Sequence, residues 1–286
     1  MIAYATGNFV SMKVDAENGE GVDLARRYHI TGYPTIIFAR AEGGEVDRII
    51  GYLPPAEFLE ETARITAGTN TLESLRAEIA GNPHNLGAFV LYGWKMDDRE
   101  MYTESFDVWR SVQLLSEDGT PERGLAVFKV AEATAKIDTL PDALQDYLAT
   151  GGETEYTAKA MRGVIGIHRT RHNAAAEAAS YKELADYSIR TEAATFQLMN
   201  GYAWRMTQLE QNLDDALERI RLGLALVTEE NADIRWELLD TEAEVLYKLG
   251  RADEALSVIA EAIELQPDEN YLQEQKTKFE AMLAKM

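Results

Sequence analysis

The sequence predicts an α/β segment over residues 1–68 followed by an all-α array of helical repeats over 69–286. Three observations carry this. Between residues 9 and 50, β-favouring runs are separated by Gly, Pro and Asn turn signals. From Thr71 onward the apolar residues recur at helical spacing, with almost no alternation. Two stretches near the C-terminus repeat one another.

Phe9-Val10-Ser11-Met12-Lys13-Val14-Asp15 reads as a strand that ends before the turn-prone Glu17–Gly21 segment. Asp23–Tyr28 carries Leu24, Ala25 and Tyr28 on one face of a short helix. Thr31-Gly32-Tyr33-Pro34 then delivers the chain into a buried strand over 35–40. A proline has no N–H to give a ladder, so Pro34 suits the first position of that strand. Glu42-Gly43-Gly44-Glu45 is a hairpin signal and Val46–Gly51 its antiparallel partner. Pro55 opens a helix whose apolar face is Phe58, Leu59, Thr62 and Ile65 and which ends near Gly68.

This order, with Pro34 before the second strand, resembles the C-terminal half of a thioredoxin-like domain. The likeness rests on the Phe9–Asp15 strand, the Leu24–Tyr28 helix, the Gly32-Tyr33-Pro34-Thr35 turn, the Gly43-Gly44 hairpin and the Gly51-Tyr52 strand end. It implies a cis Tyr33–Pro34 bond and a substrate-binding wall formed by Gly32, Tyr33 and Pro34. In the family a Cys-x-x-Cys pair opens a helix upstream, where the helix terminus favours the thiolate. Here Met1–Tyr4 reads as the tail of the helix leading into the Phe9 strand, so the chain is expected to begin inside the domain. The strands at 9–15 and 35–40 are then expected to lack the central strand between them, leaving two open edges.

The helical part pairs, by its periodicity, 85–97 with 100–116, 121–137 with 140–150, and 154–170 with 175–190. The clearest repeat lies at 195–268. Ala243, Leu246, Tyr247, Gly250, Ala255, Leu256, Ile259, Ala262 and Pro267 mark one copy. Gly201, Tyr202, Ala203, Trp204, Ala216, Leu217, Ile220 and Leu224 mark the copy before it. Small residues sit where two helices cross closely, and this pattern resembles the tetratricopeptide (TPR) repeat. Ala216 and Ala255 are 39 residues apart, more than the usual ~34, which calls for a longer turn at Gln211-Asn212 and a longer connection at Glu229–Ala232. Residues 269–286 would be a capping helix, since each repeat buries its apolar face only against a neighbour. The resemblance implies a TPR-like solenoid with a groove for protein or peptide partners. Trp94, Trp109, Trp204 and Trp236 are expected mainly as fillers of helix crossings.

Composition narrows the chemistry. The 286 residues include 28 Lys+Arg against 49 Asp+Glu, a net charge of −21 that repels nucleic acid and anionic membrane surfaces. The absence of cysteine removes thiol nucleophiles, disulfides and cysteine-ligated metals from the chain. No apolar run reaches the ~20 residues of a membrane span and the N-terminus carries no signal peptide, so membrane insertion is not expected and either a cytoplasmic or a periplasmic location suits a soluble chain. His168 and His172 are four apart, but Arg169 and Arg171 between them favour a solvated basic face over a metal. Gly43-Gly44, Gly151-Gly152 and Gly163 with Gly166 lack the residues of a phosphate loop. Asp214-Asp215 reads as support for a helix start. No cofactor, metal or catalytic residue is assigned.

Two functions remain. One is a thioredoxin-like protein of the thiol–disulfide type whose repeats recruit protein substrates, redox-inactive as this cysteine-free chain. The other is a non-catalytic TPR scaffold with a remnant thioredoxin-like segment.

Overall fold

The computed structural model describes residues 7–284. Their packing divides into two compact units, Met1–Ala143 and Leu144–Met286, and the change from sheet to helix near residue 68 falls within the first.

The first unit opens with α1 (Glu20–Arg27), followed by β1 (Thr35–Ala39) and β2 (Glu45–Ile50), which pair antiparallel with Thr35 opposite Ile50 and Ile37 opposite Arg48. Gly43, at φ +84°, turns the hairpin in a conformation that L side chains resist. Tyr28 closes the turn from α1 by donating its hydroxyl to the Gly43 carbonyl at 2.9 Å. The Tyr33–Pro34 peptide is cis, as the family resemblance implies.

The expected Phe9–Asp15 strand is not formed. Among the described residues the sheet is β1 and β2 alone, and 9–15 joins no ladder, with Val10 fully exposed and Met12 77% exposed. A strand is held by its ladder, and β propensity without a neighbour does not make one. Phe9 is held at one end, its ring set edge-on to Phe38 at 5.4 Å, and Asp15 at the other, accepting from Glu17 N at 3.0 Å and Asn18 Nδ2 at 2.8 Å. The helix tail expected at Met1–Tyr4 lies outside the described residues.

Five helices complete the unit: α2 (Pro55–Thr66), α3 (Leu72–Gly81), α4 (Leu86–Asp97), α5 (Tyr102–Leu115) and α6 (Pro121–Asp138). Their starts are written in the sequence. Thr71 and Ser74 form a reciprocal capping box, and the side chains of Asn85 and Thr120 accept from Ala88 N and Arg123 N. α3 packs on β2 and on α4, α4 on α5, and α5 on α6. Leu72, Met96 and Val108 form one buried cluster and Trp109, Val112 and Ala126 another. The expected pairing of 121–137 with 140–150 is therefore replaced: α6 takes α5 as its partner, while Leu144 and Tyr147 are buried in the second unit. Helical periodicity identifies an apolar face without naming what it faces.

The second unit contains α7 (Asp142–Thr150), α8 (Thr157–Thr170), α9 (Ala174–Arg190), α10 (Phe196–Leu209), α11 (Leu213–Ala225), a 3-10 turn (Glu229–Ile234), α12 (Arg235–Lys248), α13 (Ala252–Leu265) and α14 (Asn270–Leu283). Helices pair as α8/α9, α10/α11 and α12/α13, and successive pairs stack. One core runs through α9–α14, with Met199, Tyr202, Ala203, Ala216, Ile220, Leu238, Ala243, Leu246, Ala255, Ile259 and Phe279 buried. The long repeat spacing has one of its two expected causes. The turns 210–212 and 249–251 are each three residues long, so the expected lengthening at Gln211-Asn212 does not occur, although Glu210 and Asn212 are both left-handed there and Gly250 alone in the other; the 3-10 turn in the connection between the hairpins supplies the extra length.

Candidate functional site

Gly32, Tyr33 and Pro34 occupy the loop that enters β1. Thr35 Oγ1 donates to the Gly32 carbonyl at 2.7 Å and Gly51 N to the Pro34 carbonyl at 2.8 Å, so the proline turn is clamped at the open end of the hairpin. Tyr33 is 62% exposed and Tyr52, on the adjoining end of β2, 79% exposed. The turn thus presents two aromatic side chains and no nucleophile.

Beneath the hairpin lies a lattice of buried charge that periodicity does not reveal. Asp47 is wholly buried. Its carboxylate accepts from Lys95 Nζ with both oxygens at 2.8 Å and from Arg64 Nη2 at 2.8 Å. Glu45 accepts two hydrogen bonds from Arg48 at 2.8 Å and a third from Arg99. Arg48 also donates to the carbonyls of Tyr28 and His29, and Arg99 to that of Lys95 at 2.7 Å. Burial pulls the Glu45 pKa upward, but Arg48 and Arg99 prevail and hold it below the ordinary carboxylate value. Asp98, beside them, is raised by burial. A cleft of about 600 Å³ opens here, lined among others by Asp47, Leu53, Glu57, Lys95 and Asp98. Because the buried acids are already paired with cations, the arrangement fixes β2 to α2 and α4 rather than offering a free base.

The four tryptophans divide. Trp109 is fully buried and donates Nε1 to Asp97 at 3.1 Å, with Trp94 edge-on at 5.5 Å. Trp94 is 40% exposed and carries Lys129 Nζ 4.7 Å from its ring centre. Trp204 and Trp236 are half-buried, Trp236 against the second core. His168 is buried on α8, whereas His172 lies beyond the helix end at φ +53°, so the two imidazoles do not share a helical face. The expectation of a solvated basic face fails at His168, which is buried on a helix that packs on α9. Asp215 does more than support a helix start: it accepts from the buried Tyr202 hydroxyl at 2.7 Å and pairs with Lys182 and Arg219. Burial together with the Asp215 hydrogen bond drives the Tyr202 pKa far upward.

In the second unit α10 packs directly against α12, past the intervening α11. The first helices of these two hairpins therefore form one layer and α11 and α13 flank it from the other side. Two side-chain oxygens associated with the first layer, Asn200 Oδ1 on α10 and Asp240 Oδ1 on α12, are buried without a hydrogen-bond partner. Their positions along the two helices are adjacent rather than equivalent: Asn200 is the fifth residue of α10 and Asp240 the sixth of α12. Neither residue stands out in the sequence, where Asp240 is one acid among 49 Asp+Glu.

Residues 2–65 match the family model of the thioredoxin-like domain. Similar solved structures include YrrB, a TPR protein with an unusual peptide-binding site, at 13% identity and TM-score 0.47 over 72% of this chain and 99% of that one. A Podosopora anserina putative kinesin light chain with TPR-like repeats aligns at 12% identity and TM-score 0.45, over 65% and 96%. BtubC from P. vanneervenii aligns at 12% identity and TM-score 0.47, over 73% and 92%. No match is found among curated proteins.

Proposed function

We propose that this chain is a protein-binding scaffold of the thioredoxin-like/TPR type. Residues 1–68 act as the thioredoxin-like module and 69–286 as the repeat array, which binds a protein or peptide segment through the face formed by the first helices of its hairpins. The observation that carries this is the side-by-side packing of α10 on α12 across α11. Such a layer offers a continuous row of side chains to a ligand, while the second helices supply support. Gly32, Tyr33 and Pro34 supply an additional wall for an extended substrate in the first module. Redox chemistry is no part of the reading for this chain, because thiol–disulfide exchange needs a thiolate and the sequence holds no cysteine.

A photo-crosslinking amino acid at the exposed Gln197 of α10 should capture a discrete partner, and the same group at the exposed Glu218 of α11 should not. With the partner in hand, calorimetry on Q197E and on R162E of α8 should show affinity reduced about tenfold or more, with unchanged far-ultraviolet circular dichroism. Equal capture at the two positions, or undiminished affinity in both variants, would overturn the assignment of the binding face.

A further inference from the structure

Asp240 is 8% exposed, and its Oδ1 is buried without a hydrogen-bond partner. Glu244 lies one turn further along α12 and is equally enclosed, at 6% exposure. Across from them, α14 contributes Tyr271, Gln275 and Lys278. Lys278 is the cation that acts on Asp240, and it is committed elsewhere: Nζ donates to Glu244 and to Gln275 Oε1 at 3.0 Å and sits 4.5 Å from the ring centre of Tyr247; Glu244 also feels the charge of Lys248, which is itself paired with Glu210. The titratable groups bearing on Asp240 are Glu244 from its own helix and, from α14, Lys278 by its charge and Tyr271 by a hydrogen bond. The Asp240 carboxyl thus has Tyr271 as its hydrogen-bond partner on one oxygen, none on the other, and a nearby ammonium that is bonded to Glu244 instead. A carboxylate with an orphaned oxygen is costly in such a place, and a neutral carboxyl far less so.

We propose that docking of α14 onto α12 is coupled to the uptake of one proton by Asp240, so that the end of the helical stack closes more firmly in mild acid and loosens toward alkaline pH. When α14 departs, the carboxyl meets water and returns to an ordinary acidity. The same opening bares Glu244, Tyr247 and the end of the core around Phe279, which packs on Tyr247 at 5.1 Å. Burial first, and the charge of Glu244 second, raise the docked carboxyl to about 6 from an ordinary 3.8, with Lys278 and Tyr271 opposing. The sign follows. A group whose pKa is raised by docking binds its proton more tightly in the docked state, so docking strengthens as pH falls from above 6 toward 3.8. This coupling is intramolecular and does not depend on the proposed partner-binding face.

Hydrogen exchange on the full chain, corrected for intrinsic rates, tests it with the α9 amides as internal reference. Relative to α9, protection of α14 should fall about tenfold between pH 5 and 7.5, and D240N should abolish that dependence while raising protection at pH 7.5. Constant relative protection across this range, or an undiminished dependence in D240N, would overturn the proposal. Should D240N not fold, the carboxyl carbon of Asp240 in the parent chain decides by NMR: a midpoint near 6 supports the coupling, and one near 4 refutes it.

Discussion

Gly93 and Glu177 show how single positions hold the two units. A Cβ built on Gly93 of α4 would stand 2.7 Å from Cε2 and 2.8 Å from Cζ2 of Trp109, a ring with no exposed surface. Alanine would gain up to ~1 kcal/mol in helix propensity but incur overpacking of ~1–3 kcal/mol. G93A should therefore lower stability in urea titration by about 1–2 kcal/mol net. In the second unit the Glu177 carboxylate is enclosed between Arg169 and Arg205, with contacts of 2.7 Å to each Nε. Burial works to raise its pKa, but hydrogen bonds from Arg205 and Arg169 prevail and depress it below 4.5. A depressed carboxyl contributes stability above its unfolded pKa and loses it as pH falls through the folded value. E177Q should thus cost roughly 1–2 kcal/mol at pH 7, discounted for the half-exposed Arg169, and the gap between parent and variant should close on acidification below pH ~4. Neither position was legible beforehand. Gly93 reads as an ordinary helical residue, and Glu177 meets Arg205 across 28 residues of chain.

Elements were more legible than the contacts between them. The glycine pair, the proline and the β-branched run predicted β1, β2 and their hairpin, because those features act through local backbone geometry. Helix starts were equally local, as the caps at Thr71, Asn85 and Thr120 show. The failures share a different origin. Phe9–Asp15 has strand composition without a strand neighbour, and α6 chose α5 over the next helix in line, both decisions made by tertiary packing. The Glu45–Arg99 contact joins residues 54 apart, beyond any periodic signal. Helix ends give a test at this scale. Gly250 closes α12 at φ +79°, and His172 occupies the same kind of position after α8 at φ +53° with its side chain in solvent. A left-handed conformation costs a non-glycine residue roughly 1–2 kcal/mol. G250A should lower the thermal midpoint and H172G should raise it, each by about 1 kcal/mol or somewhat less in stability; shifts of the same sign in calorimetry would contradict the shared role of these closures.

Across the whole molecule, charge and thiol content constrain function more firmly than shape does. The chain carries a thioredoxin-like match over residues 2–65 and a cis proline turn, features that invite a redox assignment. Exchange between disulfides nevertheless begins with attack by a thiolate, and neither the proline loop nor the charged lattice under β2 replaces one. Tyrosine hydroxyls offer no substitute: Tyr102 is pushed by burial to about 12 and Tyr202 higher still, so both stay protonated at neutral pH. In an insulin-reduction assay with dithiothreitol, the purified 286-residue chain should therefore leave the uncatalysed rate unchanged. Introducing a lone cysteine beside Pro34, as T31C, should not restore turnover either, since one thiol can form the mixed disulfide but has no second thiol in the chain to resolve it. With oxidised substrate and no dithiothreitol, the T31C thiolate would displace one sulfur of the substrate disulfide as a thiol, and mass spectrometry would find the resulting mixed disulfide if the proline turn still receives an extended polypeptide, whereas a cysteine at the exposed Asp118, away from the turn, should trap far less. Equal trapping at both positions would leave Gly32, Tyr33 and Pro34 without a binding role and confine the scaffold to its helices.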